Sequence, residues 1–271
     1  MLGHLAGLYL HESGHQVVGA SRRGQELFPS VQLDIFDSAA LQELLRNGAF
    51  DVVLNCIAIT SDHVPAPDDL VMEVNGCFPH KLAAACKELD TRVFQISTDG
   101  VFSGKDAPYP DTAEPDIVPV YGRSKAEGEL HDDKNLTIRS CPFGPDINPN
   151  GVSFFNWFMH AQPPVNGWTQ ALFTGVTTLA LAQFAERAAE DGLTGLVQFA
   201  PDRTISKAEL LHLMEERFRA DWPAQVVDVP GTAIDRSLLP SPSVPAATAP
   251  SYEAMLDDLK VWMDDHAGLY A

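Results

Sequence analysis

Residues 119–129 read Pro-Val-Tyr-Gly-Arg-Ser-Lys-Ala-Glu-Gly-Glu, and the interpretation of the whole chain is organised around this stretch. Tyr121 and Lys125 are four residues apart, so a helix would place both side chains on one face, one turn from each other. A free phenol has a pKa near 10, and a lysine cation within a few ångströms lowers that pKa toward neutral pH. Taken alone, the spacing predicts either a proton-transferring pair or an ordinary exposed helix face.

A second stretch favours the catalytic interpretation. Residues 92–97 read as a buried strand, and Thr98 follows directly after it. Strand and helix patterns alternate around both stretches, which predicts an α/β fold built on a parallel sheet. If the end of the strand meets the helix, Thr98 can donate a hydrogen bond to a substrate oxygen while Tyr121 transfers a proton.

The composition indicates a globular protein. With 271 residues, the chain is long enough for one large α/β domain or for a main domain with a smaller lobe. No apolar run approaches the ~18 residues that span a bilayer, and no basic start precedes an apolar core and cleavage site. We therefore expect a cytoplasmic protein without a membrane partner. The four cysteines lack metal-ligand spacing, so we expect reduced thiols and no metal site: Cys56, Cys77, Cys86 and Cys141.

The net charge of −19 excludes some partners. So strong an excess of acid argues against nucleic acid and against anionic membrane surfaces. The acidic residues are spread along the chain, which fits either a salt-rich cytoplasm or simply an acidic globular protein. In both cases an anionic ligand is repelled by the protein as a whole, so its site must gather local cations.

Two motifs resemble a known family. Residues 97–102 (STDGVF) and 120–129 (VYGRSKAEGE) resemble the active-site strand and helix of the extended short-chain dehydrogenase/reductases. They are most similar to the dTDP-4-dehydrorhamnose reductase branch, the sugar-nucleotide 4-ketoreductases. The resemblance implies a Rossmann-like, doubly wound parallel sheet that binds NAD(P) in residues 1–140. It also implies a smaller substrate-binding lobe in residues 141–271, interleaved with the main domain, and a catalytic set of Thr98, Tyr121 and Lys125.

The start of the sequence departs from this family. The family's phosphate-binding turn runs Gly-x-x-Gly-Met-Leu-Gly after a first strand, and Met1, Leu2 and Gly3 match only its last three positions. The resemblance therefore implies that the first strand and two phosphate-facing glycines are missing. Because that strand would be central in a parallel sheet, we expect the chain as written to fold marginally and to bind NADPH weakly.

The cofactor prediction rests on residues 21–23, which come at the end of the strand that corresponds to the second strand of the family. Arg22 and Arg23 follow Ser21 without an acidic residue, which favours the 2′-phosphate of NADPH, although NADH remains an option and two solvated loop arginines are the alternative. The resemblance implies further cofactor contacts along the chain. The full predicted set is Met1, Leu2, Gly3, Ser21, Arg22, Arg23, Asp34, Ile35, Cys56, Ile57, Ala58, Asn75, Tyr121 and Lys125.

The predicted substrate contacts are Thr98, Asp99, Gly100, Cys141 and Asn166. Gly100 stands where the family often has an aromatic residue, and the region of Cys141 lacks the tryptophan that rhamnose enzymes place near the sugar. Both departures reshape the sugar pocket, so the identity of the sugar stays open.

The predicted function is NADPH-dependent reduction of a 4-keto-6-deoxy sugar nucleotide in cell-surface or glycan sugar biosynthesis. An intact set of threonine, tyrosine and lysine favours an enzyme, because a binding protein need not keep all three. The alternatives are a non-catalytic regulatory protein similar to the methionine adenosyltransferase β subunit, or an inactive truncated homologue. The oligomeric state is open, with a homodimer as one option.

Local patterns in the remaining chain predict further elements. A helix is expected over residues 67–89, a loop at 165–169 and a helix opened by 175–178. Residues 237–250 are rich in proline and serine, which is typical of an exposed connector. Met255, Leu259 and Trp262 recur at helical spacing in a closing amphipathic helix.

Overall fold

The computed structural model describes residues 1–60, 66–148 and 153–270. Helices and strands alternate through its first half, as the pattern predicts. These elements are α1 (Leu2–Glu12), β1 (Gly19–Ser21), β2 (Ser30–Gln32), α2 (Ser38–Gly48), β3 (Val52–Asn55), α3 (Asp68–Met72), α4 (Phe78–Ala85), β4 (Arg92–Ile96), α5 (Val120–Glu127) and β5 (Leu136–Arg139).

Strands and helices also fill the second half. They are β6 (Cys141–Phe143), α6 (Phe154–His160), β7 (Val165–Trp168), β8 (Ala171–Phe173), β9 (Gly175–Thr177), α7 (Thr178–Glu190), β10 (Gly195–Gln198), β11 (Ile205–Ser206), α8 (Lys207–Phe218), β12 (Val226–Val229), β13 (Ile234–Asp235) and α9 (Tyr252–Asp265).

The main sheet has four parallel strands in the order β10-β5-β4-β3. This arrangement confirms the predicted α/β fold. The first two strands form a separate parallel sheet, β1-β2. In the described part of the chain, β1 and β3 belong to different sheets.

One large apolar core joins the two halves of the chain. Helix α1 contributes Leu5 and Ala6, the central strands contribute Phe94 and Ile138, and the helices of the second half contribute Leu181 and many others. Because β10 comes from the second half and pairs with β5, the halves share both a sheet and a core. The division into residues 1–140 and 141–271 stays a prediction.

Two predictions for the second half are wrong. Residues 165–168 form strand β7 rather than a loop, because β7 pairs in parallel with β12 and buries Val165 and Gly167 on alternate positions. Residues 237–250 are not an exposed connector, since Leu238, Ser241 and Ala247 are buried. Their polar groups are satisfied internally; the Ser241 hydroxyl, for example, accepts a hydrogen bond from a main-chain amide of β10.

Several boundaries also differ from the prediction. The apolar patterns of residues 16–20 and 31–37 predict strands, and the structure has shorter ones, at Gly19–Ser21 and Ser30–Gln32. Ser38 is a residue type typical of a helix cap, but Asp37 caps α2, because its carboxylate accepts the Ala40 amide. The segment at 175–178 begins as strand β9, and α7 starts only at Thr178. The helix expected over 67–89 is divided by a π-helical turn at Glu73–Cys77.

Candidate active site

Thr98 and Tyr121 lie on either side of Gly100. Strand β4 ends at Ile96, and the Thr98 hydroxyl accepts the Gly100 amide at 3.0 Å, which turns the chain sharply. A Cβ atom at Gly100 would lie 3.3 Å from the Thr98 Oγ1 and 3.4 Å from the Tyr121 Cε1. The end of the strand therefore meets the helix at this point.

A glycine on α5 allows this approach. A Cβ atom at Gly122 would come within 2.1 Å of the Gly100 carbonyl oxygen, closer than any side chain tolerates. The absence of a side chain at Gly122 therefore lets the first turn of α5 pack directly on the turn that follows β4. Tyr121 is half-buried at this junction.

Lys125 lies one turn further along α5 and is buried. Its Nζ donates a hydrogen bond to the Ile96 carbonyl oxygen at 2.6 Å. Burial lowers the pKa of Lys125 to about 8, and the nearby carboxylate of Glu129 and thiol of Cys56 oppose that change. The ammonium group is thus held beside the end of β4, and its pKa lies closer to neutral pH than that of a free lysine.

Asn75 links the loop after β3 to α5. Its side chain accepts the Ile59 amide at 2.8 Å, donates to the Ile59 carbonyl at 2.9 Å and donates to the Ser124 hydroxyl at 3.1 Å. Ser124 in turn donates to the Tyr121 carbonyl oxygen at 2.8 Å. Asn75 is fully buried within the π-helical turn, a distortion that frequently marks functional sites.

Several of the predicted cofactor residues follow the carboxyl ends of parallel strands, and others lie at the start of α1. Leu2 and Gly3 begin α1, and a Cβ atom at Gly3 would lie 3.4 Å from the Cys56 Cβ just after β3. Arg22 and Arg23 are exposed after β1, where Gln32 donates a hydrogen bond to the Arg22 carbonyl at 2.7 Å. Four further predicted residues follow β2 or β3: Asp34, Ile35, Ile57 and Ala58. In open α/β sheets, this edge is where ligands bind.

Only some of the predicted substrate residues lie close to one another. Asp99 is buried and accepts a hydrogen bond from Thr98 at 3.1 Å. Burial raises the pKa of Asp99, and the Cys141 thiol contacts its carboxyl group. Asn166 is exposed on β7, while its neighbour Gly167 packs on Ala208 on the other face of that strand. The structure therefore groups Asp99, Gly100 and Cys141 with Thr98 and leaves Asn166 on an exposed surface.

A buried ion pair stabilises the end of β4 from behind. Arg139 donates to both oxygens of Glu129 at 2.7 Å, and Ser97, next to Thr98, donates to the same carboxylate at 2.6 Å. Both charged side chains are almost fully buried. This pair has no signal in the sequence, because Glu129 reads as an ordinary polar residue after a helix.

The buried charge of Lys125 should make the free energy of unfolding depend on pH. Because its pKa is about 8 in the folded chain and ~10.4 when unfolded, the unfolded state binds more protons between those values. The free energy of unfolding should therefore rise with pH across this window. We expect Lys125→Met to raise the free energy of unfolding at pH 7 by about 2 kcal/mol and to remove this rise.

Urea denaturation at pH 7 and at pH 9.5 measures both effects. Lys134→Met is the matched control, since Lys134 donates to the Cys86 and Leu89 carbonyls at 2.6 and 2.5 Å and should stabilise the fold. We expect the control to lower the free energy of unfolding at both pH values. A loss of stability for Lys125→Met at pH 7 contradicts the prediction.

Comparison with known proteins identifies the family. The model of the family described as the RmlD substrate binding domain matches residues 2–137, just over half of the 271 residues. The chain belongs to this family. The predicted relation to the dTDP-4-dehydrorhamnose reductase branch of the extended short-chain dehydrogenase/reductases is thereby confirmed.

Relatives of this RmlD-family chain include named reductases. It is 38% identical over 133 residues to a probable low-salt glycan biosynthesis reductase of Haloferax volcanii, which covers 48% of this chain and 44% of that protein. It is 37% identical over 123 residues to the dTDP-4-dehydrorhamnose reductase of Mycobacterium tuberculosis, which covers 42% and 40%. The chain thus spans less than half the length of these curated relatives.

A regulatory protein also matches the RmlD-family chain. The methionine adenosyltransferase 2 subunit beta of Xenopus tropicalis is 24% identical over 200 residues, which cover 69% of this chain and 60% of that protein. The regulatory protein considered as an alternative from the sequence is therefore also among the relatives of this chain.

Solved structures show the same fold. A hypothetical dTDP-4-dehydrorhamnose reductase from Sulfolobus tokodaii has a TM-score of 0.74 and 25% identity, over 88% of each chain. A dTDP-4-dehydrorhamnose reductase from Bacillus anthracis in complex with NADP has a TM-score of 0.73 and 18% identity, over 90% of this chain and 98% of that one. Within the described residues, no helix is both long and apolar enough to cross a membrane.

Proposed function

We propose that this RmlD-family chain reduces the 4-keto group of a 4-keto-6-deoxy sugar nucleotide with NADPH. The observation that carries the proposal is the junction at Gly100, where Thr98 and Tyr121 lie within a few ångströms of one point and Lys125 follows one helical turn later. Relatives named as dTDP-4-dehydrorhamnose reductases support a sugar-nucleotide substrate. We further propose a cytoplasmic location, a nucleotide-binding region in residues 1–140, a substrate lobe in 141–271 and assembly as a homodimer.

The residues of the sheet edge fit a dinucleotide. No side chain caps the first turn of α1, so main-chain amides remain available there for a pyrophosphate, and Gly3 leaves space beside Cys56. Arg22 and Arg23 supply cations at the end of β1 in an otherwise acidic chain. Lys125 would bind the nicotinamide ribose. When bound, NADPH supplies the hydride that reduces the carbonyl carbon.

The side chains of the site would supply the proton and orient the carbonyl oxygen. Tyr121 would donate its phenolic proton to the carbonyl oxygen as the new hydroxyl forms, and Thr98 would orient that oxygen by a hydrogen bond. The Lys125 cation would stabilise the phenolate left behind and so lower the pKa of Tyr121. Asn75 would keep α5 in place through Ser124.

Cofactor preference gives a specific prediction for Arg22 and Arg23. We expect replacement of both with alanine to weaken NADPH binding about tenfold to hundredfold, because each arginine makes charge-assisted contacts to the 2′-phosphate. NADH lacks that phosphate, so its affinity should change less than about threefold. Fluorescence titration measures both, with the exposed Arg187→Ala as control. Equal losses for the two cofactors would show that the pair only solvates a loop.

The proposed function is tested by mixing the chain with NADPH and dTDP-4-dehydrorhamnose and following the loss of NADPH absorbance. Turnover of this or another 4-keto-6-deoxy sugar nucleotide supports the reductase. NADPH binding without any turnover of such substrates would instead favour the regulatory alternative. The similarity to the methionine adenosyltransferase 2 subunit beta supports that alternative.

A further inference from the structure

The ladder of paired residues between β3 and β4 ends one residue before Ile96. Its last pair is Asn55 with Gln95, and beyond it the Ile57 amide turns back to the Asn55 Oδ1 at 3.2 Å. At this end of the ladder the Ile96 carbonyl oxygen accepts two side-chain hydrogen bonds, from the Lys125 Nζ at 2.6 Å and from the Gln95 Nε2 at 3.3 Å. Lys125 therefore shares its acceptor with an amide group.

The hydrogen bonds fix which end of each side-chain amide faces which partner. The main-chain amide of Ile57 can only donate, so it binds the oxygen of Asn55 and leaves the Asn55 Nδ2 to face Gln95. This Nδ2 donates to the Gln95 Oε1 at 2.7 Å, which leaves the Gln95 Nε2 for the Ile96 carbonyl. The positive end of the Gln95 amide is thus presented to the oxygen that binds Lys125.

Both amide side chains are buried, with exposed fractions of 4% for Asn55 and 1% for Gln95. Burying a polar side chain is costly unless it is hydrogen-bonded, and partners at fixed positions then hold it in one orientation. Binding of the Ile57 amide accounts for Asn55, but it does not account for a second buried amide at Gln95. The contact of Gln95 with the acceptor of Lys125 indicates what this second amide does.

The orientation of Gln95 affects the charge state of Lys125. An acceptor beside an ammonium group favours the charged form, whereas a donor in the same place does not. Burial lowers the pKa of Lys125 to about 8, and the donor end of Gln95 leaves that effect in place. The Glu129 carboxylate and the Cys56 thiol act in the opposite direction.

We propose that Asn55 and Gln95 are positioning residues for Lys125, an assignment that rests on the proposed reduction. Their oriented amides connect the chain after β3 to the Ile96 carbonyl, and this carbonyl holds the ammonium group one helical turn from Tyr121. In the proposed reaction a lysine held there stabilises the phenolate that remains on Tyr121. The two amides thereby act on the proton donor through Lys125, without touching the substrate.

Nuclear magnetic resonance of the full chain labelled at lysine Cε tests the assignment, because it follows the ionisation of each lysine without any substrate. The chain has seven lysines, and the signal that Lys125→Met removes is that of Lys125. In the wild type we expect Lys125 to titrate near pH 8. Gln95→Met removes the donor and should raise this pKa by about 0.5 pH units, and Gln95→Glu places a carboxylate there and should raise it by more than about 1 pH unit.

Gln198→Glu is the matched control for the introduced carboxylate. Gln198 is a buried glutamine of β10 that donates to the Tyr109 and Leu239 carbonyls at 2.9 and 2.8 Å, and β5 lies between β10 and β4. This variant should leave the pKa of Lys125 within about 0.3 pH units of the wild type. A purely structural role for Gln95 predicts lower stability in its variants and no change in that pKa.

The outcomes separate the positioning role from the proposed reaction. An unchanged pKa of Lys125 in both Gln95 variants, an equal rise in Gln198→Glu, or a wild-type Lys125 that titrates near ~10.4 overturns the assignment. If the Gln95 variants do not fold, Asn55→Asp decides: its carboxylate cannot donate, so the Gln95 amide should turn its oxygen toward Lys125 and raise the pKa by about 1 pH unit. If the pKa changes as expected but no 4-keto sugar nucleotide is reduced, the effect on Lys125 stands and the proposed reductase fails.

Discussion

Replacing Tyr121 with phenylalanine should lower kcat about 10²- to 10⁴-fold, the usual contribution of a positioned proton donor. The variant removes one oxygen and keeps the ring that packs beside Gly100. Without the phenolic proton, the carbonyl oxygen would have to take its proton from water while the hydride adds. NADPH affinity should change little, because Lys125 and the residues of the sheet edge remain.

Steady-state kinetics with the full chain measure the loss, and fluorescence titration measures the affinity for NADPH. Tyr109→Phe is the matched control, since the Tyr109 hydroxyl accepts the amides of Gly104 at 2.9 Å and Asp106 at 3.1 Å. That variant should lose stability and keep most of its turnover. If Tyr121→Phe retains more than about a tenth of the wild-type rate, Tyr121 is not the proton donor.

The central geometry could be predicted because it depends on short-range patterns. A buried strand that ends before Thr98 and a helix that begins near Tyr121 are each visible in the sequence, and parallel sheets place strand ends and following helices at one edge. Gly100 and Gly122 show why the two segments meet so closely, although no sequence pattern indicates that Gly122 faces the Gly100 carbonyl. The roles of the predicted site residues stay predictions.

Features that depend on distant contacts could not be predicted. The serines and prolines of residues 237–250 indicate a loop, but burial depends on partners such as the main chain of β10. The π-helical turn at Asn75 has no local signal, because its hydrogen bonds go to Ile59 and Ser124.

Glu129 should be among the most sensitive positions for stability. We expect Glu129→Ala to lower the free energy of unfolding by about 3–5 kcal/mol, because it leaves the Arg139 cation buried without its partner. Ser97 also loses its acceptor in this variant, which loosens the chain next to Thr98. Turnover should therefore fall together with stability, although Glu129 itself lies behind the site.

The double variant Glu129→Leu with Arg139→Met tests the cause of the instability of Glu129→Ala. That cause is either the unpaired Arg139 cation or the lost attraction between the two charges. Removing both charges leaves no unpaired ion, so the double variant should be more stable than Glu129→Ala, and its free energy of unfolding should approach that of the wild type. Arg139 also donates to the Asp111 and Ala113 carbonyls at 3.3 Å, and these contacts limit the recovery. Urea denaturation at pH 7 measures all three proteins. A double variant no more stable than Glu129→Ala would show that the pair stabilises the fold by its own attraction, and that the uncompensated charge is not the cause.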